Sequence, residues 1–164
     1  MGAMSLVPSL GPRGEGWLVL QVVMLVLVAA GGVISPGTAG LLSSTAGSGV
    51  GLVLLIGGGT IALVGVGSLH TGRSVSPLPH PRSEMSLVTT GAYSSIRHPI
   101  YTGLILVALG WAILQDSGPA LVATLGLAVV LDLKRRREEA WLDQRFGEYA
   151  AYRERTKAFI PFVY

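Results

Sequence analysis

A polar segment beside an apolar stretch carries residue types suited to binding a small charged molecule. Residues 88–103 read Val-Thr-Thr-Gly-Ala-Tyr-Ser-Ser-Ile-Arg-His-Pro-Ile-Tyr-Thr-Gly. Pro99 fits the first position of a helix, where its missing N–H costs no hydrogen bond. Free amides at a helix N-terminus favour an anion, and the Arg97 guanidinium adds a two-point donor. With His98 at the helix mouth, the segment predicts a site for a carboxylate or phosphate.

A pair of adjacent carboxylates, Glu138 and Glu139, follows a later apolar stretch. Carboxylates near a bilayer are costly without a partner, so the pair suggests an ion-paired or ligand-binding role. The alternative is a solvated helix face on which neighbouring arginines balance both charges. Arg97 and His98 have a comparable alternative, as anchors for lipid headgroups.

The composition predicts an integral membrane protein: half of the 164 residues are hydrophobic and 13% are charged. Trp17–Ser35 and Gly47–Leu69 carry no charge, and each is long enough to cross a hydrocarbon layer of about 30 Å. Pro99–Gln115 and Ser117–Leu131 are shorter apolar stretches separated by Asp116, which predicts a tight transmembrane hairpin. The expected fold class is an all-α integral membrane protein with four transmembrane helices and a C-terminal cytoplasmic amphipathic helix.

The basic residues predict the orientation of these spans. All twelve Lys and Arg residues fall in 1–16, 70–98 and 132–164, which four spans place on one side of the membrane. Because Lys and Arg collect on the cytoplasmic side, both termini are expected to be cytoplasmic. A cleaved signal peptide is the alternative for the first span, but its apolar run is long and lacks a clear cleavage site.

Several other classes of function are not expected from the composition. The pI is about 9.6, but the charges flank the spans, where anionic lipid headgroups attract them, so no nucleic-acid partner is predicted. There is no cysteine, which excludes disulfides, thiol nucleophiles and cysteine metal clusters. We expect no metal ion.

The C-terminal region and the preceding loop have distinct patterns. Pro77, Pro79 and Pro81 prevent regular helix within residues 70–87, which we interpret as a structured loop or linker. Aromatic and apolar residues recur at three-to-four spacing after the glutamate pair: Trp141, Leu142, Phe146, Tyr149 and Tyr152. This spacing predicts an amphipathic helix, interrupted near Gly147, that lies on the membrane or caps a pocket.

Glycines are frequent in the second span, at Gly51, Gly57–Gly59, Gly65 and Gly67. They lie inside one continuous apolar run, whereas a dinucleotide-binding glycine loop needs a preceding strand. Close packing between membrane helices is the predicted role.

The two polar segments together resemble the isoprenylcysteine carboxyl methyltransferase family, and related phospholipid N-methyltransferases share much of the pattern. The matching residues are Gly91, Tyr93, Arg97-His98-Pro99, Tyr101 and Gly103, then Glu138-Glu139, Leu142, Phe146-Gly147, Tyr149, Tyr152 and Ile160-Pro161. The resemblance covers about residues 67–164. It divides the chain into an N-terminal two-span region, 1–69, and a methyltransferase core, 70–164, formed by the loop, the hairpin 99–131 and the cap helix.

The resemblance implies a membrane enzyme that uses S-adenosylmethionine and receives a lipid-like substrate laterally from the membrane. The implied cofactor-binding residues are Val88, Gly91, Tyr93, His98, Pro99, Tyr101, Gly103, Glu138 and Glu139, and the implied catalytic residues are Arg97 and Glu139. Either glutamate could accept from the cofactor's ammonium or ribose diol, and His98 could hold its carboxylate. Tyr93 or Tyr101 could face the adenine or stabilise the sulfonium by cation–π attraction.

Methyl transfer displaces a thioether from an already activated sulfonium, so positioning of the two reactants can account for much of the rate. A carboxylate acceptor needs only orientation, for example by Arg97, whereas an ammonium must first lose a proton. We therefore expect O-methylation of a lipid-like or prenylcysteine-type carboxylate. The alternatives are N-methylation of a phospholipid or other amine, and a non-catalytic four-span scaffold or transporter.

Overall fold

The computed structural model describes residues 7–40, 45–71 and 86–160. Their helices are α1 (Glu15–Ile34), α2 (Thr45–Thr71), α3 (Pro99–Leu114), α4 (Gly118–Arg145) and α5 (Tyr149–Arg155), with a short 3-10 helix at Gly91–Ser94. Within the described ranges, extended pairing is limited to one isolated parallel bridge between Ile96 and Lys157. The predicted all-α class is confirmed.

Among the described helices, α1 and α2 are long and apolar enough to cross a membrane. Their bounds agree with the predicted spans to within two residues at each end. Val33, Val53 and Leu63 are 69%, 71% and 74% exposed, and such extensive apolar exposure suits contact with lipid. α3 has 16 residues, fewer than the roughly 20 that a membrane span needs. The presence of four transmembrane helices therefore stays a prediction.

α2 and α3 pack closely through glycines spaced seven residues apart on each helix. A methyl group at Gly58 would lie 2.8 Å from the carbonyl oxygen of Gly103, and one at Gly110 would lie 2.6 Å from that of Gly51. A spacing of seven residues returns to the same helix face after two turns. A methyl group at Gly59 would meet no described atom within 4 Å. The predicted packing role is confirmed for Gly51 and Gly58.

The turn between α3 and α4 has the tight form predicted at Asp116. Asp116 adopts a left-handed conformation with φ +46°, which Asp tolerates better than most residues. Ser117 caps α4, because its side chain accepts a hydrogen bond from the backbone N–H three residues later. Gly37 and Ala39 donate backbone hydrogen bonds to the carbonyls of Gln115 and Asp116. The α1–α2 connection and the α3–α4 turn therefore lie at the same end of the helices.

α4 continues beyond Leu131, where its apolar stretch was predicted to end, and reaches Arg145. The amphipathic helix predicted after the glutamate pair, with its interruption near Gly147, is wrong in where it begins, because the part before the interruption is the end of α4. Only Tyr149–Arg155 forms a separate helix, of seven residues. The predicted interruption near Gly147 is confirmed. Because α4 is continuous, Glu138 and Glu139 are carried on the same helix as the apolar stretch.

A small apolar core joins α1, α3 and α4. Val28, Ala108, Leu127 and Leu131 form its buried centre, and Tyr101 packs against it near the start of α3. The polar residues of the predicted site begin where this core ends. The predicted proline loop at Pro77, Pro79 and Pro81, the basic residues Arg73 and Arg82, and Pro161 lie outside the described residues.

Candidate functional site

The backbone before α3 is held by the chain that follows α5. The N–H of Arg97 donates to the carbonyl of Lys157 at 2.7 Å, and the N–H of His98 donates to that of Ala158 at 3.1 Å. Thr102, one turn into α3, donates from its hydroxyl to the carbonyl of Phe159 at 2.9 Å. The C-terminal segment thus fixes the direction in which the Arg97 and His98 side chains leave the backbone.

The guanidinium of Arg97 connects α4 to the end of α5. Its Nε donates to Oε1 of Glu139 at 3.0 Å, and its Nη1 donates to the carbonyl of Arg153 at 3.0 Å. Nη1 also contacts the carbonyl and hydroxyl oxygens of Thr156. Because Nε and Nη1 already donate to protein groups, the Arg97 guanidinium can bind a further carboxylate at two points only if it gives up one of these hydrogen bonds.

Glu139 is the centre of the ion-pair network. Its Oε1 accepts from both Arg97 Nε and His98 Nε2, each at 3.0 Å, and its Oε2 lies 3.6 Å from Nη1 of Arg135. Burial raises the pKa of Glu139, but the hydrogen bonds and charges of His98 and Arg97 outweigh burial and lower it to about 2. Glu139 is therefore an ionised carboxylate with both oxygens directed at protein cations or donors.

Beside Glu139 lies a second group of contacts, which involves His98, Tyr101 and Glu138. The rings of His98 and Tyr101 stack with centroids 5.3 Å apart and planes 7° apart. The Tyr101 hydroxyl donates to Oε2 of Glu138 at 2.9 Å, and Nδ1 of His98 lies 3.9 Å from the same oxygen. The Glu138 side chain is 25% exposed, against 10% for Glu139. Of the two carboxylates, Glu138 is thus the one more accessible to a ligand.

Lys134 and Arg135 belong to the network, although the sequence pattern predicted for them only the role of basic residues flanking a span. Lys134 is 1% exposed, donates to the side chain of Gln21 on α1 at 2.6 Å and lies 5.2 Å from the Tyr101 ring centre. Arg135 pairs with Asp132 at 2.7 Å. A sequence signal existed, since each basic residue precedes one of the glutamates by four positions, which places the members of each pair on one helix face.

The structure brings together five predicted site residues: Arg97, His98, Tyr101, Glu138 and Glu139. The two glycines predicted to bind the cofactor lie outside this group of five residues. Gly103 faces α2, where a methyl group would lie 2.5 Å from the carbonyl oxygen of Gly58. Gly91 has φ +62°, and a methyl group there would lie 2.7 Å from the Ser68 hydroxyl. Both positions fit close backbone packing better than contact with a cofactor, and their predicted cofactor role stays untested.

The remaining predicted residues border the network. Pro99 is fully buried at the start of α3, and Val88 is half-buried in the segment leading to the 3-10 helix. Tyr93 is buried, and burial followed by the Glu138 charge raises the pKa of its hydroxyl. The carbonyl of Tyr93 accepts from the Tyr152 hydroxyl at 2.7 Å, which attaches α5 to the 3-10 helix. Tyr152 therefore makes a specific connection in addition to its place in the aromatic pattern.

An apolar groove of about 310 Å³ opens between α1 and α3. Leu25, Val28 and Ala29 of α1 and Val107, Ala108 and Trp111 of α3 line it. Val107 lies six residues beyond Tyr101, or about 9 Å along the helix at 1.5 Å per residue. The groove therefore begins within two helical turns of the polar network, on the side of the apolar core.

Fold and site together define a class: a helical protein with long, outwardly apolar helices and a buried ion-pair network at the mouth of one helix. Residues 48–149 match the phospholipid methyltransferase family. The match covers more than half of the chain, and the protein belongs to this family.

Relatives with known names extend this finding. A probable protein-S-isoprenylcysteine O-methyltransferase of Oryza sativa subsp. japonica is 33% identical over 70% of this chain and 61% of its own length. A protein-S-isoprenylcysteine O-methyltransferase of Schizosaccharomyces pombe is 37% identical over 47% of this chain and 34% of its own length. A cobalt-zinc-cadmium resistance protein of Cupriavidus metallidurans is 37% identical over 67% of this chain and half of its own length.

The chain thus spans between about a third and three fifths of these relatives. The resemblance to the isoprenylcysteine carboxyl methyltransferase family is confirmed. In the part of the chain that the structure describes, no group of three or more His, Asp and Glu side chains is arranged to hold a metal ion.

Proposed function

We propose that the protein is a membrane-embedded methyltransferase that transfers a methyl group from S-adenosylmethionine to the carboxylate of a lipid-like, prenylcysteine-type acceptor. Family membership and the isoprenylcysteine methyltransferase relatives support the reaction class. The observation that carries the proposal is the position of the network. At the mouth of α3, within two helical turns of an apolar groove, Glu139 forms a buried ion pair with Arg97 and a buried hydrogen bond with His98.

The residues at this position fit the cofactor's chemical groups. Glu138 offers a partly exposed carboxylate for an ammonium or a ribose diol. At the first turn of α3, Pro99 has no N–H and that of Thr102 donates to the carbonyl of His98, whereas the N–H groups of Ile100 and Tyr101 have no side-chain cap and can donate to a carboxylate. The ring of Tyr101 is a candidate face for adenine or a sulfonium. When bound, S-adenosylmethionine supplies an activated methyl group, and these residues would hold the donor in one orientation.

Arg97 and Glu139 fit a positioning role in this proposal. Their mutual ion pair, together with the hydrogen bonds of Arg97 to the end of α5, keeps His98 and α4 in a fixed relation to α3. The sequence-based prediction that either residue acts directly in catalysis stays a prediction. Correct positioning alone can supply much of the rate of a displacement reaction.

We further propose four spans with both termini in the cytoplasm and the site at the cytoplasmic face. Support comes from the placement of every Lys and Arg residue, and from the contact between the α1–α2 connection and the α3–α4 turn. Accessibility tags at both termini and within residues 36–46 test the topology. An externally accessible C-terminus would contradict it, since the site would then face away from the cytosol.

N-methylation of a phospholipid amine is the second candidate, favoured by the match to the phospholipid methyltransferase family. The deciding experiment incubates purified protein with radiolabelled S-adenosylmethionine and a membrane lipid extract. A product whose label is released by base is an ester and supports the carboxylate acceptor, whereas a base-stable product supports an amine. Failure of the purified protein to bind S-adenosylhomocysteine in calorimetry would contradict both and favour a non-catalytic membrane scaffold or transporter.

A further inference from the structure

Arg137 is the last of four consecutive basic residues on α4 and differs from the other three in its partners. Lys134 donates to the side chain of a glutamine on α1, and Arg135 and Arg136 both pair with Asp132 at 2.7 Å. Arg137 makes no hydrogen bond or ion pair with the residues that the structure describes, and its Nε is buried. Because a buried donor without a partner costs free energy, this guanidinium can gain from an anion that the described residues do not supply.

The order of residues on α4 explains this difference. Side chains on a helix interact with those three and four positions away. For Arg137 these neighbours are Leu133, Lys134, Ala140 and Trp141. None of them carries a carboxylate, whereas each of the two preceding arginines has an aspartate three or four positions before it. The helix therefore holds Arg137 away from the carboxylate that pairs with its neighbours.

Trp141 holds the Arg137 side chain in place. The central carbon of the guanidinium lies 4.5 Å from the centre of the Trp141 ring. Cation–π attraction stabilises the guanidinium without supplying an oxygen acceptor for its N–H groups. Arg137 as a whole is half-buried, so a ligand can reach the outer part of its side chain. The pair thus presents a fixed cation whose donors suit an oxyanion.

The position of Arg137 along α4 matches the headgroup layer of a membrane. Arg137 lies six positions beyond Leu131, where the predicted fourth span ends, or about 9 Å along the helix. The headgroup layer extends about 5–8 Å beyond the hydrocarbon on each side. Tryptophan is enriched at this boundary, and anionic phospholipids attract the basic residues next to a span. The Arg137 side chain is therefore within reach of lipid phosphates.

We propose that Arg137, held by Trp141, binds the phosphate of an anionic phospholipid in the surrounding bilayer. The inference rests on the proposed four-span topology and not on methyl transfer. The free oxygens of a phosphate diester match the paired N–H donors of a guanidinium. A zwitterionic headgroup carries its own ammonium, which competes with Arg137 for the phosphate, so a lipid of net negative charge binds better.

The test measures, by native mass spectrometry, which lipid the detergent-purified protein retains from an equal mixture of phosphatidylglycerol and phosphatidylcholine. We expect the wild type to retain phosphatidylglycerol in preference, and Arg137→Gln to reduce this preference about fivefold. Arg136→Gln is the matched control, because it removes the same charge where the arginine already pairs with Asp132, and it should keep the preference. Arg137→Lys retains the charge without the guanidinium fork and should give an intermediate value.

Four other results would each overturn the inference. An unchanged preference in Arg137→Gln would show that the lipid binds elsewhere. An equal loss in Arg136→Gln would show that diffuse surface charge attracts the lipid. If the glutamine variant does not fold, a wild-type preference in Arg137→Lys would exclude the guanidinium fork. Displacement of the lipid by inorganic phosphate at the same concentration would assign the site to a soluble anion. Methyl transfer is measured separately with radiolabelled S-adenosylmethionine, so the failure of one proposal does not decide the other.

Discussion

Nε of Arg97 and Oε1 of Glu139 lie 3.0 Å apart although 42 positions separate them in the sequence. Both side chains are about nine-tenths buried. The pair connects the segment before α3 with the last turns of α4. Because removing one member of a buried pair leaves the other charge uncompensated, such pairs are sensitive to single substitutions.

Glu139→Gln should destabilise the protein strongly. The substitution keeps the shape but leaves Arg97 and Arg135 without their shared carboxylate, at a cost of about 3–5 kcal/mol. We expect a fall in melting temperature on the order of 10 °C, measured by thermal unfolding in detergent. Glu154→Gln is the matched control, because Glu154 is exposed on α5. Equal stability of both variants would contradict the central role of Glu139.

The stability contributed by Glu139 should depend on pH in the acid range. Its pKa is lowered to about 2 in the folded protein from an ordinary value of 4.5. A lowered pKa stabilises the fold above the unfolded value, and the contribution, about 3 kcal/mol, is lost as pH falls from about 4.5 toward 2. The difference in stability between wild type and Glu139→Gln should therefore shrink in unfolding experiments at pH 7, 4.5 and 3. A constant difference would argue against ionised Glu139 as its source.

Glu138→Gln should affect ligand binding more than stability. Glu138 is partly exposed, and its neighbour Tyr101 can still donate to a glutamine oxygen. If Glu138 accepts from the cofactor's ammonium or diol, loss of its charge should raise the dissociation constant of S-adenosylhomocysteine about tenfold, or roughly 1.4 kcal/mol. Calorimetry and thermal unfolding on one preparation measure both effects. Wild-type affinity in this variant would exclude Glu138 as a ligand contact.

Arg97→Lys should lower both stability and methyl transfer. A single ammonium cannot hold Glu139 and the carbonyl of Arg153 in the geometry of the guanidinium fork. We expect a loss of about 2 kcal/mol in stability and at least a tenfold fall in turnover, with a smaller change in cofactor affinity. Arg153→Lys is the control, since only the backbone of Arg153 contacts Arg97. No change in either property would contradict the structural and positioning roles given to Arg97.

Gly58→Ala should destabilise the protein, whereas Gly59→Ala should leave it equally or more stable. A methyl group at Gly58 meets three atoms of α3 within 2.8 Å, so α2 and α3 must separate, at a cost of about 1–3 kcal/mol. A methyl group at Gly59 meets no described atom within 4 Å, and Ala favours helix over Gly by up to about 1 kcal/mol. Melting temperatures in detergent measure the contrast. Two equal shifts would contradict the close packing of these helices.

Part of the site could be predicted because its signals are local. The polar segment ending at Pro99 and the glutamate pair were both visible as residue types in order. Their meeting also followed, since a hairpin of two helices brings its two ends close together. The different roles of Glu138 and Glu139 did not follow, because adjacent residues on a helix point about 100° apart, and only packing decides which one is buried.

The sequence by itself determined the helical class, the limits of α1 and α2 and the turn at Asp116, because hydropathy, helix-starting residues and turn residues act over short distances. The tertiary structure decided which surfaces meet. It turned Gly103 toward α2, engaged Arg97 with the end of α5, and brought Lys134 close to the Tyr101 ring. These outcomes depend on the rotation and length of each helix, which its neighbours set through packing.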